Sequence, residues 1–121
     1  MSKVKLLKEQ VLMIEENPIS FATMDEKSNP HVILIAYVKV MDNKLIITNN
    51  YMVKTIKNIK NNKNVSFALY NKKWKGLYFS GIAKYYTAGK YYEFVKKLKE
   101  NKKEPCKGVI VVDLKSIREM F

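Results

Sequence analysis

The sequence predicts a mainly β domain with helices, built as a six-stranded antiparallel barrel. Three observations predict it. Six short apolar, β-branched stretches are separated by turn-forming residues. Three other stretches place apolar residues at helical spacing. The chain has 121 residues and 47% hydrophobic content, which suits one core and one domain over residues 1–121. No repeat, linker or low-complexity segment divides it.

The elements follow in order. Residues 3–16 place Val4, Leu7, Val11 and Ile14 on one helical face, and Asn17-Pro18 ends that helix. The glutamates Glu9, Glu15 and Glu16 favour a helix packed on a sheet over one lying on a membrane. ISFATMD (19–25) is a strand, and EKSNP (26–30) is a turn. HVILIAYVKVM (31–41) is one long strand, apolar on both faces, so one face is expected in the core and the other against a partner or ligand. Asp42-Asn43 is a tight turn before KLIITNN (44–50). Residues 52–63 form an amphipathic helix with Met52, Val53, Ile56 and Ile59 on one face and lysines opposite. VSFALYN (65–71) is the fourth strand. The basic turn KKWKG carries the only tryptophan, Trp74. LYFSGIAKYYT (77–87) is the fifth strand, with Gly81 at a bulge or a close backbone approach. Residues 88–103 form a third helix with Tyr92, Val95 and Leu98 three apart. KGVIVVDL (107–114) is the sixth strand, and residues 115–121 form a short tail.

Composition excludes several classes. No apolar run approaches the roughly 20 residues that span a bilayer, and the N-terminus mixes charge among its apolar residues. A cytoplasmic protein is expected. One cysteine, Cys106, excludes an intrachain disulfide and a multi-cysteine metal site. The sole histidine, His31, follows Pro30 at a strand start and reads as a turn or edge residue. No phosphate-loop or dinucleotide glycine motif occurs, and the chain has only four glycines. Any chemistry is therefore expected from a bound organic cofactor. The net charge of +12 points toward anions. Nearly all of it is lysine, spread along the chain, and Arg118 is the only arginine. Nucleic acid is thus a secondary reading, because arginine is the usual bidentate reader of guanine and phosphate.

Lys54-Thr55 stands out because it lies where a strand gives way to a helix. The first N–H groups of a helix lack internal partners, and the peptide dipoles add a partial positive charge there. A phosphate at that end meets free donors, a lysine ammonium and a threonine hydroxyl. Asn49 and Asn50, just upstream, are natural caps. An ordinary exposed first turn would contain the same residues.

Three blocks in this order resemble the flavin-binding split-barrel family that includes the pyridoxamine 5'-phosphate oxidase-like proteins. They are NPHVILIAYVKVMDNKLIIT (29–48), MVKTIKNIKNNKNVSFALY (52–70) and LYFSGIAKYY (77–86). The likeness is greatest to the short, single-domain FMN-binding protein of sulfate-reducing bacteria, which has a similar M-x-K-T segment. The resemblance implies an FMN-binding split β-barrel, a homodimer with FMN in a groove at its interface, and redox chemistry on the flavin. It implies that Lys54 and Thr55 hold the FMN phosphate. It places Leu34, Ile35 and Ala36 beside the ribityl chain and ring. It gives Thr48 and Asn49 polar contacts to the isoalloxazine edge. The ILIA run departs from the short relative, which is polar and aromatic there. Trp74 and Phe121 either cover the flavin across the dimer or are ordinary surface aromatics.

The expected function is a flavoprotein, a small FMN-dependent oxidoreductase or electron carrier, with donor and acceptor unassigned. A true pyridoxamine phosphate oxidase is not expected, because the C-terminal half has Arg118 only and no histidine. Positive charge near the flavin would raise its reduction potential. Two alternatives remain. One is the same barrel with a deazaflavin or haem, for which His31 and Cys106 are the candidate axial ligands. The other is a basic barrel binding nucleic acid through tyrosines and lysines.

Overall fold

The computed structural model describes residues 4–120. The elements run α1 (Lys8–Glu16), β1 (Ile19–Met24), β2 (Pro30–Ile35), β3 (Lys39–Met41), β4 (Lys44–Asn49), α2 (Lys54–Asn61), β5 (Asn64–Tyr70), β6 (Gly76–Tyr86), α3 (Lys90–Lys96), a 3₁₀ turn (Lys99–Asn101) and β7 (Gly108–Met120). All strand pairings are antiparallel, in the order β2-β1-β5-β6-β7-β4-β3. This is the mainly β split-barrel architecture that the sequence predicts, with seven strands rather than six.

The extra strand comes from a break. The expected long strand 31–41 divides into β2 and β3 around Ala36, Tyr37 and Val38. The two halves lie at opposite ends of the strand order. A flat sheet of this size would hold its edges about 29 Å apart at ~4.8 Å per strand. The link from Ile35 to Lys39 reaches at most about 14 Å. The sheet therefore curls until its edges approach, and a cleft remains between them.

The core follows the two-residue period of the strands. Ile110, Val112 and Leu114 of β7 face the main core with Leu45 and Ile47 of β4. Val109 and Val111 face a second cluster with Ile46 and Val95 of α3. Phe21, Phe67 and Phe79 stand opposite one another across β1, β5 and β6 and stack, with centroids 4.6 and 5.0 Å apart. Such cross-strand aromatic pairs fix register and add to burial.

Three expected boundaries move, each for a local reason. Residues 4–7 are not helical, and Leu7 is exposed at the start of α1. Asn43 holds that segment extended, accepting from Leu6 N–H and donating to Val4 O. The third helix stops at Lys96, because Asn101 Nδ2 donates to Val95 O at 2.8 Å and takes up a carbonyl that the helix would use. The expected tail is the second half of β7, with Met120 paired to Gly76 and Ser116 to Ser80. Lys115 is an extra residue at the bulge, which breaks the apolar alternation there.

Gly81 lies opposite that bulge. A Cβ on it would come within 2.4 Å of Asp113 O and 2.7 Å of Val112 Cγ1. Gly81→Val should destabilise the fold by about 1–3 kcal/mol. Thermal unfolding would show this as a midpoint lower by roughly 5–15 °C. An unchanged midpoint would mean that the sheet relaxes without strain at this point.

Candidate functional site

The cleft between the sheet edges has a volume of about 720 Å³, within the size range of small-molecule sites. The break and β2 form one wall, with His31, Ile33, Leu34, Ile35, Ala36 and Tyr37. Ile46 and Thr48 of β4 form the floor, and the loop into α2 closes one end with Tyr51, Met52, Val53, Lys54 and Thr55. The segment after α3 supplies Leu98, Glu100, Asn101 and Glu104 at the other side.

At the α2 end, the helix begins at Lys54 with no side-chain cap. The first helical hydrogen bond is from Lys57 N–H to Val53 O, so the N–H groups of Lys54, Thr55 and Ile56 precede the ladder. Asn49 is not the cap that the sequence suggests. Its Oδ1 accepts from Met52 N–H at 2.7 Å, and its Nδ2 donates to the Tyr85 hydroxyl at 2.9 Å. It is 3% exposed and shapes the turn that leads to the helix. Asn50 is tied elsewhere, as described below. Thr55 is 2% exposed yet lines the cleft, while Lys54 is exposed at its rim. Asn58, one turn on, donates to Thr23 Oγ1 at 3.0 Å and fixes α2 against β1.

The opposite side is organised by Asn101, which is 8% exposed. Its Nδ2 donates to Thr48 Oγ1 at 2.9 Å and to Val95 O, and its Oδ1 accepts from Asn50 Nδ2 at 3.0 Å. Asn50 Nδ2 also donates to Pro105 O. Thr48 spends an acceptor site on Asn101 and keeps its hydroxyl proton to donate toward the cleft. Lys39 and Glu100 form an ion pair at 2.7 Å on the same side. That hydrogen bond holds the Glu100 carboxyl below its ordinary value. The Tyr51 hydroxyl donates to Glu104, which raises the Tyr51 pKa. Positive charge without a paired carboxylate is thus concentrated at the Lys54 end.

Six of the eight expected site residues meet on this cleft: Leu34, Ile35, Ala36, Thr48, Lys54 and Thr55. Asn49 lies just behind it. Trp74 does not line it. That residue tips the β5–β6 hairpin, 76% exposed and with φ +63°. Phe121 lies outside the described residues. His31 lies at the start of the edge strand β2, as its reading as an edge residue expects, and shares the inward register of Ile33 and Ile35, so it lines the cleft. Cys106 packs on the second cluster away from the cleft, and burial raises its thiol pKa. Tyr51, Lys39, Glu100, Asn101 and Glu104 carried no sequence signal, because their partners lie up to 61 residues away (Lys39 to Glu100). No group of three or more metal-ligating side chains occurs among the described residues. No helix among them is long and apolar enough to cross a membrane.

Comparison with known proteins agrees with this architecture. Residues 6–121 match the family described as pyridoxamine 5'-phosphate oxidase. The chain belongs to that family. It is 31% identical to the uncharacterized protein MJ0282 of Methanocaldococcus jannaschii, covering 96% of this chain and 81% of that protein. It resembles HupZ of Group A Streptococcus with TM-score 0.87 and 25% identity over 95% of this chain and 94% of that one. The fold is shared with an FMN-binding protein of Syntrophomonas wolfei, with TM-score 0.72 and 14% identity over 92% and 81% of the two chains. It is also shared with an F420 reductase (TM-score 0.72, 17% identity, 95% and 98% covered) and with HutZ, the heme storage protein of Vibrio cholerae (TM-score 0.72, 12% identity, 95% and 94% covered).

Two outcomes test this description. Asn101→Ala should cost about 1–3 kcal/mol, because buried partners lose their hydrogen bonds, and amide exchange should rise at residues 98–105. The Glu100 contribution has a defined pH sense. Its carboxyl is lowered in the folded state, so the stability it adds is present above the ordinary value of 4.5 and is lost as pH falls through the folded value. Glu100→Gln should be less stable than wild type by about 0.5–1 kcal/mol at pH 7. Chemical denaturation should show the two proteins converging as pH falls through the folded-state value, below the ordinary 4.5.

Proposed function

We propose that this protein is an FMN-binding flavoprotein, a small oxidoreductase or electron carrier that acts through bound FMN. One observation carries the reading. The uncapped start of α2, with Lys54 and Thr55, opens onto one end of a cleft whose β2 wall, Ile33 to Ala36, is apolar. A flavin needs that combination: fixed donors and positive charge for the phosphate, and apolar surface for the ring. Lys54 Nζ and the N–H groups of the first turn would hold the phosphate, with the Thr55 hydroxyl behind them. Leu34, Ile35 and Ala36 would flank the ribityl chain and ring, and Thr48 would donate to the ring edge. When bound, FMN supplies the electron or hydride chemistry, while the protein supplies position and field.

A homodimer fits the same site. Val32 and Leu34 are 61% and 79% exposed on the free edge of β2, beside Tyr37 and Val53 at the cleft mouth. Apolar surface of this kind, next to an open cleft, marks an interaction face. A second copy would cover it and enclose the flavin, and Trp74 would reach the cofactor only from that copy. No arginine lines the cleft among the described residues. Haem is the second reading. His31 on the cleft wall is the observation in its favour, and a deazaflavin would use the same phosphate end.

Absorbance titration with FMN separates these readings. Wild type should develop perturbed flavin bands, and Lys54→Ala should bind FMN at least about tenfold more weakly, the loss of one charge-assisted phosphate contact. A Soret band with haem, lost in His31→Ala, together with no flavin binding, would replace the FMN reading by the haem reading.

A further inference from the structure

Asn49 forms the turn before α2, and a residue from another strand holds Asn49 in place. Tyr85, near the end of β6, brings its hydroxyl to Asn49 Nδ2 at 2.9 Å, across 36 positions of sequence. Its ring runs over Gly108, the first residue of β7, which pairs with Asn49 in the sheet. A Cβ on Gly108 would overlap the Tyr85 hydroxyl and Cζ. Among the described glycines only Gly89 has a positive φ. Space for the phenol, and not backbone angle, therefore accounts for glycine at 108.

The ring has a second partner. Lys60 Nζ, in the last turn of α2, lies over it at 5.6 Å from the centroid. A cation there also suits the C-terminal end of the helix dipole. Tyr85 thus acts on both ends of α2. Its ring meets Lys60 at the close of the helix, and its hydroxyl meets the amide that shapes the approach to the start.

Asn49 is 3% exposed, so an unpaired amide donor there is costly. With the hydroxyl in place, Nδ2 is satisfied while Oδ1 accepts from Met52 N–H at 2.7 Å. The turn is closed two residues before the helix begins at Lys54. Without the hydroxyl, the amide must turn to find another acceptor, and the acceptor of Met52 N–H moves with it. The N–H groups of Lys54, Thr55 and Ile56 then lose their fixed direction. Ordering them again on binding weakens the complex.

We propose that Tyr85 is a positioning residue for the phosphate end of the cleft. Its hydroxyl, given room by Gly108, holds Asn49 so that the first turn of α2 presents its donors to a ligand phosphate. Tyr85 does not line the cleft, so it acts without touching the ligand. The proposal rests on the flavin reading and adds to it the residue that sets the geometry of the phosphate grip.

Two variants test it. Tyr85→Phe removes the hydroxyl and keeps the ring beneath Lys60. Gly108→Ala keeps the hydroxyl and displaces it. Each is titrated beside wild type with FMN and with riboflavin, which has the same ring and ribityl chain but no phosphate. Both variants should bind FMN about tenfold more weakly than wild type, with riboflavin affinity within about twofold. Amide hydrogen exchange of the free proteins should rise at residues 50–56. A purely structural role would weaken both ligands together, or lower the thermal midpoint while leaving the FMN-to-riboflavin ratio unchanged. Either result for Tyr85→Phe would overturn the proposal, and so would exchange at 50–56 as slow as in wild type. Wild type that binds riboflavin as tightly as FMN would overturn the phosphate grip and the proposal with it. Wild type that binds neither would overturn the flavin reading alone. Inorganic phosphate, followed by the amide shifts of Lys54, Thr55 and Ile56, then decides the positioning role. Weaker binding by both variants would uphold it, and equal binding, or none by wild type, would overturn it.

Discussion

The fold depends on a short tether. Ala36, Tyr37 and Val38 join strands at opposite edges of the sheet, and that covalent limit curls seven strands around one core. Neither edge pairs with the other across the gap. The unpaired backbone and side chains of β2 therefore face a cleft instead of a neighbour. A closed barrel would bury that edge, and an open sheet would have no concavity. The cleft is the consequence of a sheet that must curl and does not close.

Everything that shapes the cleft then works against its natural openness. Asn49 sets the turn that brings the start of α2 to the rim, and Asn58 locks α2 to β1 through Thr23. Asn101 fastens the segment after α3 to β4 and to the α2 approach. These are buried amides: Asn49 and Asn101 use donor and acceptor together, and Asn58 donates to Thr23, so they fix direction as well as position. The result is a polar, donor-rich end at α2 and an apolar wall at β2. The distribution of charge follows: carboxylates neutralise Lys39 and Lys44, while the lysines along α2 form no ion pair with a described residue, and Lys60 lies over the Tyr85 ring.

Much of this was legible in the sequence where local chemistry decides it. Apolar alternation marked the strands, and the positive-φ turn at Asp42-Asn43 was readable from its residues. Lys54-Thr55 was readable as a helix start after a strand, and Gly81 as a close approach. Long-range pairing was not readable. Nothing local shows that 31–41 must break, because Ala36-Tyr37-Val38 continues the apolar run. Nothing local shows that Asn101 caps one helix while holding a strand 53 residues away. The asparagines read as loop composition, yet Asn49, Asn50, Asn58 and Asn101 organise the site. His31 was readable as an edge residue, but not its position on the cleft wall, because its inward register depends on a pairing with Thr23 that only the folded sheet supplies.

The central claim is that the start of α2 is the anchor of the bound cofactor. Amide NMR mapping during addition of FMN tests it most directly. The account predicts that the largest shifts fall on the amides of Lys54, Thr55 and Ile56, with a second group at residues 33–36. Shifts confined to the β5–β6 hairpin around Trp74, or an unchanged spectrum at saturating FMN, would contradict it.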